Sequence, residues 1–461
     1  MTPEQPKSVS RPSLPALPCG PSGVLSRRAL LGAGAGALLG GSLSGCGGQS
    51  PTHSEDGRRL LNVWHAWGGV MGPRFEKVCQ AFEKSHPEIK LRLVYTQNNL
   101  STNQKFFTSV AAGTPPDVTF VDGPQVASWA EWGALEPLTQ FTTSAGVKAE
   151  DFFPPTWRQN VYREQVWALT YSADPNFGFA WNKEAFRKAG LNPDDPPQTI
   201  DELTETAGKL TQKQDGVLRQ IGLIPWAQYG PANSMFTWGW AFGGDFFDYS
   251  TNRITATNPR VLKALEWIAE FAKDYDPARV ASLQQGFGTA EQNPFYSGKL
   301  AMQCLHIGGI GDIERYAPNL DYGVTYIPAP PDGEARSSWV GGWCMSIPKG
   351  ARNVEDAWEY IRWLCHSEVG TQIVGSECSI YPGMRHSPYF EQVKSRRFYR
   401  DYVKILEDSR HQRPVMPVQA YYMREIQRAV EAAVYGRRTP AEALAIAEKN
   451  TQAELELALA G

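Results

Sequence analysis

The chain has 461 residues, 45 basic against 48 acidic, for a formal net charge of −3. Hydrophobic residues make up 42% and charged residues 20%, which excludes a disordered or fibrous chain and, at this length, points to two domains or one large α/β enzyme. The acidic balance offers no basic surface for nucleic acid, and no apolar run is long and uninterrupted enough for a multi-span membrane protein. The 15 Trp, 18 Tyr and 20 Phe are the unusual feature.

Residues 1–25 are rich in Pro and Ser and read as a disordered leader. Ser26-Arg27-Arg28-Ala29-Leu30-Leu31 and the uncharged stretch Gly32 to Gly45 then give the basic, apolar and small-residue regions of an export signal. Five Gly within 32–41 argue against an uncleaved anchor helix, because Gly is a poor helix former. Leu43-Ser44-Gly45-Cys46 resembles the lipobox of bacterial lipoproteins, in which the Cys is lipidated and becomes the first mature residue. The Arg pair resembles a twin-arginine signal, with Leu30 where that motif prefers Phe and Gly32 where it often has Lys. Residues 1–45 therefore read as a signal peptide and 46–57 as a polar linker.

Residues 1–45 carry Lys7, Arg11, Arg27, Arg28 and Glu4, so the mature chain keeps 41 basic and 47 acidic residues. Five thiols follow Cys46: Cys79, Cys304, Cys344, Cys365 and Cys378. The odd count and the absence of Cys-x-x-Cys predict mainly unpaired thiols, as export of an already folded protein would leave them. Cys79 reads as packing.

In the mature chain, 60–64 reads as a strand. Phe75, Val78, Cys79 and Phe82 are spaced for one face of a helix over 73–85, which Pro87 stops. Alternation over 89–95 predicts a strand, followed by a helix near 103–112 and a short strand over 117–121. Strand–helix–strand–helix–strand is the unit of a parallel sheet. Thr199 to Glu202 forms a capping box, Asn258-Pro259 opens a helix, apolar spacing predicts another over 353–365, and Thr439 caps the last. Residues 421–460 are nearly all helix-prone, and 171–180 reads as a crossover.

Nucleophile-elbow, zinc-helix, phosphate-loop and calcium-loop patterns are absent, and Gly309-Ile310-Gly311 lacks the third glycine of a dinucleotide fingerprint. The seven His lack metal-ligand spacing; His65, between Trp64 and Trp67, reads as a pocket or packing side chain. No cofactor and no metal are expected. A glycosidase carboxylate pair is not excluded by counting, but no spacing singles one out. Aromatic residues do recur where the chain turns: Trp64 and Trp67 before Gly68-Gly69, Trp181 after the crossover, Trp238 and Trp240 before Gly243-Gly244, and Trp339 and Trp343 around Gly341-Gly342. Open α/β sheets bind ligands beyond the carboxyl ends of their strands, and flat aromatic faces there suit the C–H faces of pyranose sugars. About half of the Trp are expected in cores.

Ala111-Ala112-Gly113-Thr114-Pro115-Pro116-Asp117-Val118 resembles the A-G-x-x-P-D-V segment of the family 1 extracellular solute-binding proteins of ABC importers, relatives of maltose-binding protein. Phe179 to Lys183 resembles its x-x-Y-N-K, and Gly190 to Pro193 with Pro196 to Leu203 its G-L-x-P-P-x-T-W-D-E-L, with Ile200 in place of the aromatic. Ser297 to Met302 resembles x-G-K-A-A-M, Gly341 to Ile347 resembles G-G-x-x-x-x-I with Cys344 in place of a small residue, and Ala357 to Ile361 resembles A-W-E-F-I. The six matches occur in order across residues 60–390.

The resemblance implies an α/β, two-lobed periplasmic-binding-protein fold of type II, each lobe a mostly parallel sheet flanked by helices, with the ligand in the cleft between them. Lobe 1 is expected at 58–172 plus 337–385 and lobe 2 at 173–325 plus 390–461, with hinge crossovers near 172–176, 326–337 and 385–390. The expected function is capture of a carbohydrate, a neutral di- or oligosaccharide, by a monomeric, lipid-anchored protein that closes and delivers it to a membrane permease. A glycerol-3-phosphate or phosphodiester ligand is the alternative, with a secreted glycoside-active enzyme and a sensory or adhesive lipoprotein further off. Trp64, Trp67, Asp122, Trp181, Trp238, Trp240, Gly342, Trp343 and Arg385 are the expected cleft residues.

Overall fold

The computed structural model describes residues 52–97, 100–215, 217–227, 229–285 and 292–460. The leader, the lipidation candidate Cys46 and the linker up to Pro51 lie outside the described residues.

The chain opens with β1 (Arg59–His65), α1 (Gly72–Ser85), β2 (Ile89–Tyr95), α2 (Leu100–Ala111) and β3 (Val118–Asp122). β1 pairs in parallel with both β2 and β3, as two consecutive strand–helix–strand units require. α1 buries Phe75, Val78, Cys79 and Phe82, the face that its spacing predicted. β4 (Leu169–Asn176) then runs through Phe177 almost directly into β5 (Gly178–Asn182).

Helices α3 (Ile200–Leu210), α4 (Pro231–Ala241) and α5 (Pro259–Lys273) follow, then β6 (Met302–Leu305), α6 (Ile307–Tyr316) and β7 (Tyr322–Thr325). Their starts obey local chemistry. Thr199 and Glu202 form the expected capping box on α3, and the Asn258 side chain accepts from the Arg260 N–H on α5. The chain returns as β8 (Trp339–Ser346) and continues through α7 (Val354–His366), α8 (Glu368–Cys378), α9 (Tyr399–Asp408), α10 (Gln419–Val434) and α11 (Pro440–Ala460). The expected near-continuous helix over 421–460 is broken at Gly436, whose φ of +64° lies in the left-handed region that ends helices.

The larger sheet has the order β2-β1-β3-β8-β4, and a second sheet the order β6-β5-β7. Strand direction in the second sheet differs from the parallel arrangement expected of both lobes, because β5 runs antiparallel to each neighbour. β4 and β5 carry the chain outward, and β7 and β8 carry it back. Outbound and returning strands that pair must be antiparallel, as β8 with β4 and β7 with β5 are. β6 and β7 form the ends of one strand–helix–strand unit with β5 inserted between them.

Two large cores result. One gathers Phe75, Phe82, Val118, Met345 and Ile361 around the first sheet. The other gathers Leu203, Phe236, Leu265, Ile310, Tyr402 and Ile426 around the second. Each fully buried side chain of this size contributes roughly 1.5–3 kcal/mol. The five described cysteines are free and buried. No helix of the described residues is long and apolar enough to cross a membrane.

Candidate functional site

A cavity of about 770 Å³ opens where elements of both cores meet. One wall carries Trp67, from the loop after β1, with Arg74 on α1 and Cys378 to Ile380 at the end of α8. The facing wall is α6 with His306 before it, joined by Tyr399 from α9. Tyr229 and Asn233 close one end.

The floor is built by the outbound and returning strands. Antiparallel register sets Trp343 opposite Ser172, Gly341 opposite Asp174 and Trp339 opposite Asn176. Directly opposed residues project to the same face of a sheet, so two indoles alternate with a glycine above Ser, Asp and Asn. On its other side Trp343 pairs with Asp122 of β3, and its ring lies 5.4 Å from that of Phe120. The register shifts between Trp343 and Cys344, a bulge that ends the regular ladder beside the cavity. Gly342 is required here: its φ is +144°, and a Cβ would stand 2.0 Å from the Ser172 carbonyl oxygen.

Charge is arranged unevenly. Arg413, from the connection between α9 and α10, donates through Nη2 to Asp122 Oδ1 at 2.6 Å, with both side chains nearly buried. Asp174 is half-buried and receives a hydrogen bond from Ser172 Oγ at 2.9 Å. Burial holds its carboxyl up at about 6, with the nearby Asp122 charge adding to the rise. Burial likewise lowers His306 to about 4, so its imidazole is neutral at physiological pH. Among the described residues no group of three or more His, Cys, Asp or Glu is placed to hold a metal.

Of the nine residues expected in a cleft, the structure brings Trp67, Asp122, Gly342 and Trp343 together on this cavity. It places the other five elsewhere. Trp181 is buried in β5 beneath Gly323 and donates from Nε1 to the Pro193 carbonyl. Trp238 is fully buried in α4 and donates to the Pro225 carbonyl, with its ring 4.9 Å from Trp267. Trp240 is buried with its ring stacked on His411 at 5.1 Å. Trp64 packs on the outer side of the first sheet against Phe106, with Lys105 Nζ 5.1 Å from its ring. Arg385 is exposed away from the cavity, where its backbone N–H donates to the Asp151 carbonyl.

The family model of the bacterial extracellular solute-binding proteins matches residues 68–369. The chain belongs to this family. Among relatives of this solute-binding protein, the sn-glycerol-3-phosphate-binding periplasmic protein of Yersinia enterocolitica is 25% identical over 323 residues, covering 68% of this chain and 71% of that one. The mannitol-binding protein of Pseudomonas aeruginosa is 25% identical over 407 residues, covering 84% and 91%. Among solved structures, CpMnBP1 with mannobiose bound is 24% identical, with a TM-score of 0.74 over 86% of this chain and 99% of that one. An ABC transporter solute-binding protein from Thermotoga lettingae, bound with α-D-tagatose, is 25% identical with a TM-score of 0.69 over the same shares. The fold is that of the two-lobed solute-binding proteins.

Asp174, Asn176, Tyr229, Asn233, His306, Trp339 and Arg413 were missed as site residues. For Asp174 and Asn176 a signal existed. Ser172, Asp174 and Asn176 alternate along β4, so they share one face.

Proposed function

We propose that this solute-binding protein captures a neutral carbohydrate, a di- or oligosaccharide, in the cavity and delivers it to an ABC permease by closing around it. The observation that carries this reading is the composition of the cavity: indoles beside carboxylates, with the carboxylates outnumbering the guanidiniums. Four carboxylates (Asp122, Asp174, Asp312, Glu314) and three guanidiniums (Arg74, Arg315, Arg413) line it, and Arg413 is already committed to Asp122. An anionic ligand wants converging cations or an open helix N-terminus, for which the cavity offers Arg74, Arg315 and the start of α6 at Ile307 and Gly308. A polyhydroxyl ligand wants flat apolar faces ringed by hydrogen-bond acceptors and donors. Trp67 and Trp343 supply the faces, and Asp122, Asp174, Asn176 and Asn233 supply polar partners.

The Asn233 amide supports this reading. Its Nδ2 donates to the Tyr229 carbonyl, while its buried Oδ1 has no hydrogen-bond partner among the described residues. A ligand hydroxyl would satisfy it.

Closure would turn on three connections: Phe177 between β4 and β5, residues 326–338, and residues 379–388. The floor residues sit on the strands that make these crossings, so they keep their geometry while the walls approach. A ligand that touches both walls stabilises the closed state by its differential affinity for that state. Capture without turnover, a monomeric state and anchoring through a lipid on Cys46 complete the proposal. Mass spectrometry of the membrane-extracted N-terminus should find a lipidated Cys46; an intact Gly45–Cys46 peptide would refute the anchor.

Glycerol 3-phosphate is the second reading, favoured by the relatives that bind it. A thermal-shift panel of sugars, polyols and sn-glycerol 3-phosphate separates the two. A true ligand at 1,000 times its Kd adds about 4 kcal/mol of stability. A rise in Tm with sugars and none with the phosphate is expected; the reverse would overturn the carbohydrate reading.

A further inference from the structure

Two carboxylates of the cavity, Asp174 and Asp312, make no ion pair among the described residues, and of these Asp174 lies on the floor strand β4. Asp122 is held by Arg413, and Glu314 by Arg396 at 3.1 Å. Asp174 makes no ion pair among the described residues and accepts one side-chain hydrogen bond, from Ser172. Its strand partner is Gly341, where a Cβ would come to 3.9 Å from the Asp174 Cβ and 2.7 Å from Asn176 Nδ2. A side chain at 341 would therefore crowd the row that Asp174 occupies. With glycine there, the Asn176 amide and the Trp339 ring pack close to the backbone, and the Asp174 carboxylate lines the cavity beside them.

We infer that Asp174 is a specificity-determining residue of the cleft, whose carboxylate accepts hydroxyl groups of a sugar or polyol lying across Gly341 and repels anionic analogues. The inference rests on the carbohydrate reading and goes beyond it by naming the group that selects hydroxyl over phosphate. An ionised carboxylate has lone pairs for several donors, and Ser172 uses only part of that capacity. Two adjacent hydroxyls of a pyranose or polyol match the two oxygens of one carboxylate. The same charge, with Asp122 close by, opposes a phosphate at that position. Its location on β4 also keeps it fixed to the floor while the walls close.

The groups facing Asp174 are Asp122 from β3, Arg413 from the α9–α10 connection, and Tyr171 and Ser172 from its own strand. Desolvation dominates, with Asp122 raising the carboxyl and Ser172 and Arg413 lowering it, and the sum leaves it titrating near pH 6. Hydroxyl donors favour the ionised form, so sugar affinity should weaken as pH falls below that value.

The test is calorimetric titration of the full mature protein and of Asp174→Asn with mannobiose, maltose, mannitol, tagatose and sn-glycerol 3-phosphate, from about pH 5 to 8. The Asn side chain has the same shape and can still accept from Ser172. For the best neutral ligand, Asp174→Asn should weaken binding roughly 5- to 150-fold above the titration, the range for leaving buried polar partners unpaired. The fall in affinity below pH 6 expected of the wild type should flatten in the variant. Gly341→Ala, which keeps the carboxylate and pushes the Asn176 amide and the Trp339 ring beside it, should weaken binding while retaining the pH dependence. A variant Asp174→Asn with unchanged affinity and an unchanged pH profile would overturn the inference and leave the carbohydrate reading standing. A wild type that binds none of the four neutral ligands, or prefers the phosphate, would overturn both.

Discussion

Replacing Arg413 by Met would remove a charge that Asp122 needs. Arg413 Nη2 and Asp122 Oδ1 lie 2.6 Å apart, and their side chains are 13% and 11% exposed. At that distance and an effective dielectric near 20, the gross Coulomb attraction is about 6 kcal/mol. Most of it offsets the desolvation of both ions, so the net value of the pair is small. Removing one partner is different, because the remaining charge stays desolvated without compensation, at about 3–5 kcal/mol. The same connection is tied in on either side. The Gln412 Oε1 accepts from Arg158 at 3.0 Å, and the Val415 N–H donates to Tyr249 Oη at 3.0 Å. Met keeps the length and apolar bulk of the Arg stem, which leaves charge as the variable. Urea denaturation of Arg413→Met should show a loss of about 3–5 kcal/mol, and the double variant Asp122→Asn/Arg413→Met should recover most of it. A loss under about 0.5 kcal/mol, or a double variant that equals the sum of the singles, would refute this account of the pair.

Two further outcomes are expected. Asp174 has its folded pKa raised from 3.8 to about 6, so its contribution to stability is fully present below the lower value and is lost as pH rises through the upper one. Asp174→Asn should therefore stabilise the empty protein near pH 7.5, by at most about 3 kcal/mol, with the gain vanishing near pH 4; thermal melts at both pH values that show no difference would contradict it. Trp343→Ala should weaken carbohydrate binding roughly 5- to 150-fold, the equivalent of a stacking contact of about 1–3 kcal/mol. Trp238→Ala should instead cost about 3–5 kcal/mol of stability. Titration and melting of both variants check the contrast, and equal stability loss in the two would refute the cleft role of Trp343.

The helical stripe of α1, the alternation of β2 and the caps at Thr199 and Asn258 were legible because each is set by residues a few positions apart. The cavity was legible only in part. Trp next to Gly-Gly looks alike at 238–244 and at 339–343, yet the two cases differ physically. Gly243 has a φ of +81° just past the end of α4, so Trp238 and Trp240 belong to a helix interior. Gly341 and Gly342 sit mid-strand, where missing side chains let the Ser172 carbonyl, the Asn176 amide and the Trp339 ring pack close to the backbone. The partnership of Arg413 with Asp122 spans 291 positions, and no local pattern announces it. Arg385 was expected to line the cleft, but it lies exposed and off the cavity.

The central claim is that a neutral carbohydrate occupies the floor made by β4 and β8. A crystal structure of the mature protein with the sugar that gives the largest thermal shift tests it most directly. A sugar ring against Trp343, with hydroxyls in hydrogen-bond reach of Asp174 and with contacts from both walls, is the expected result. A ligand bound outside this cavity, or one held by Arg74 and Arg315 through a phosphate, would contradict it.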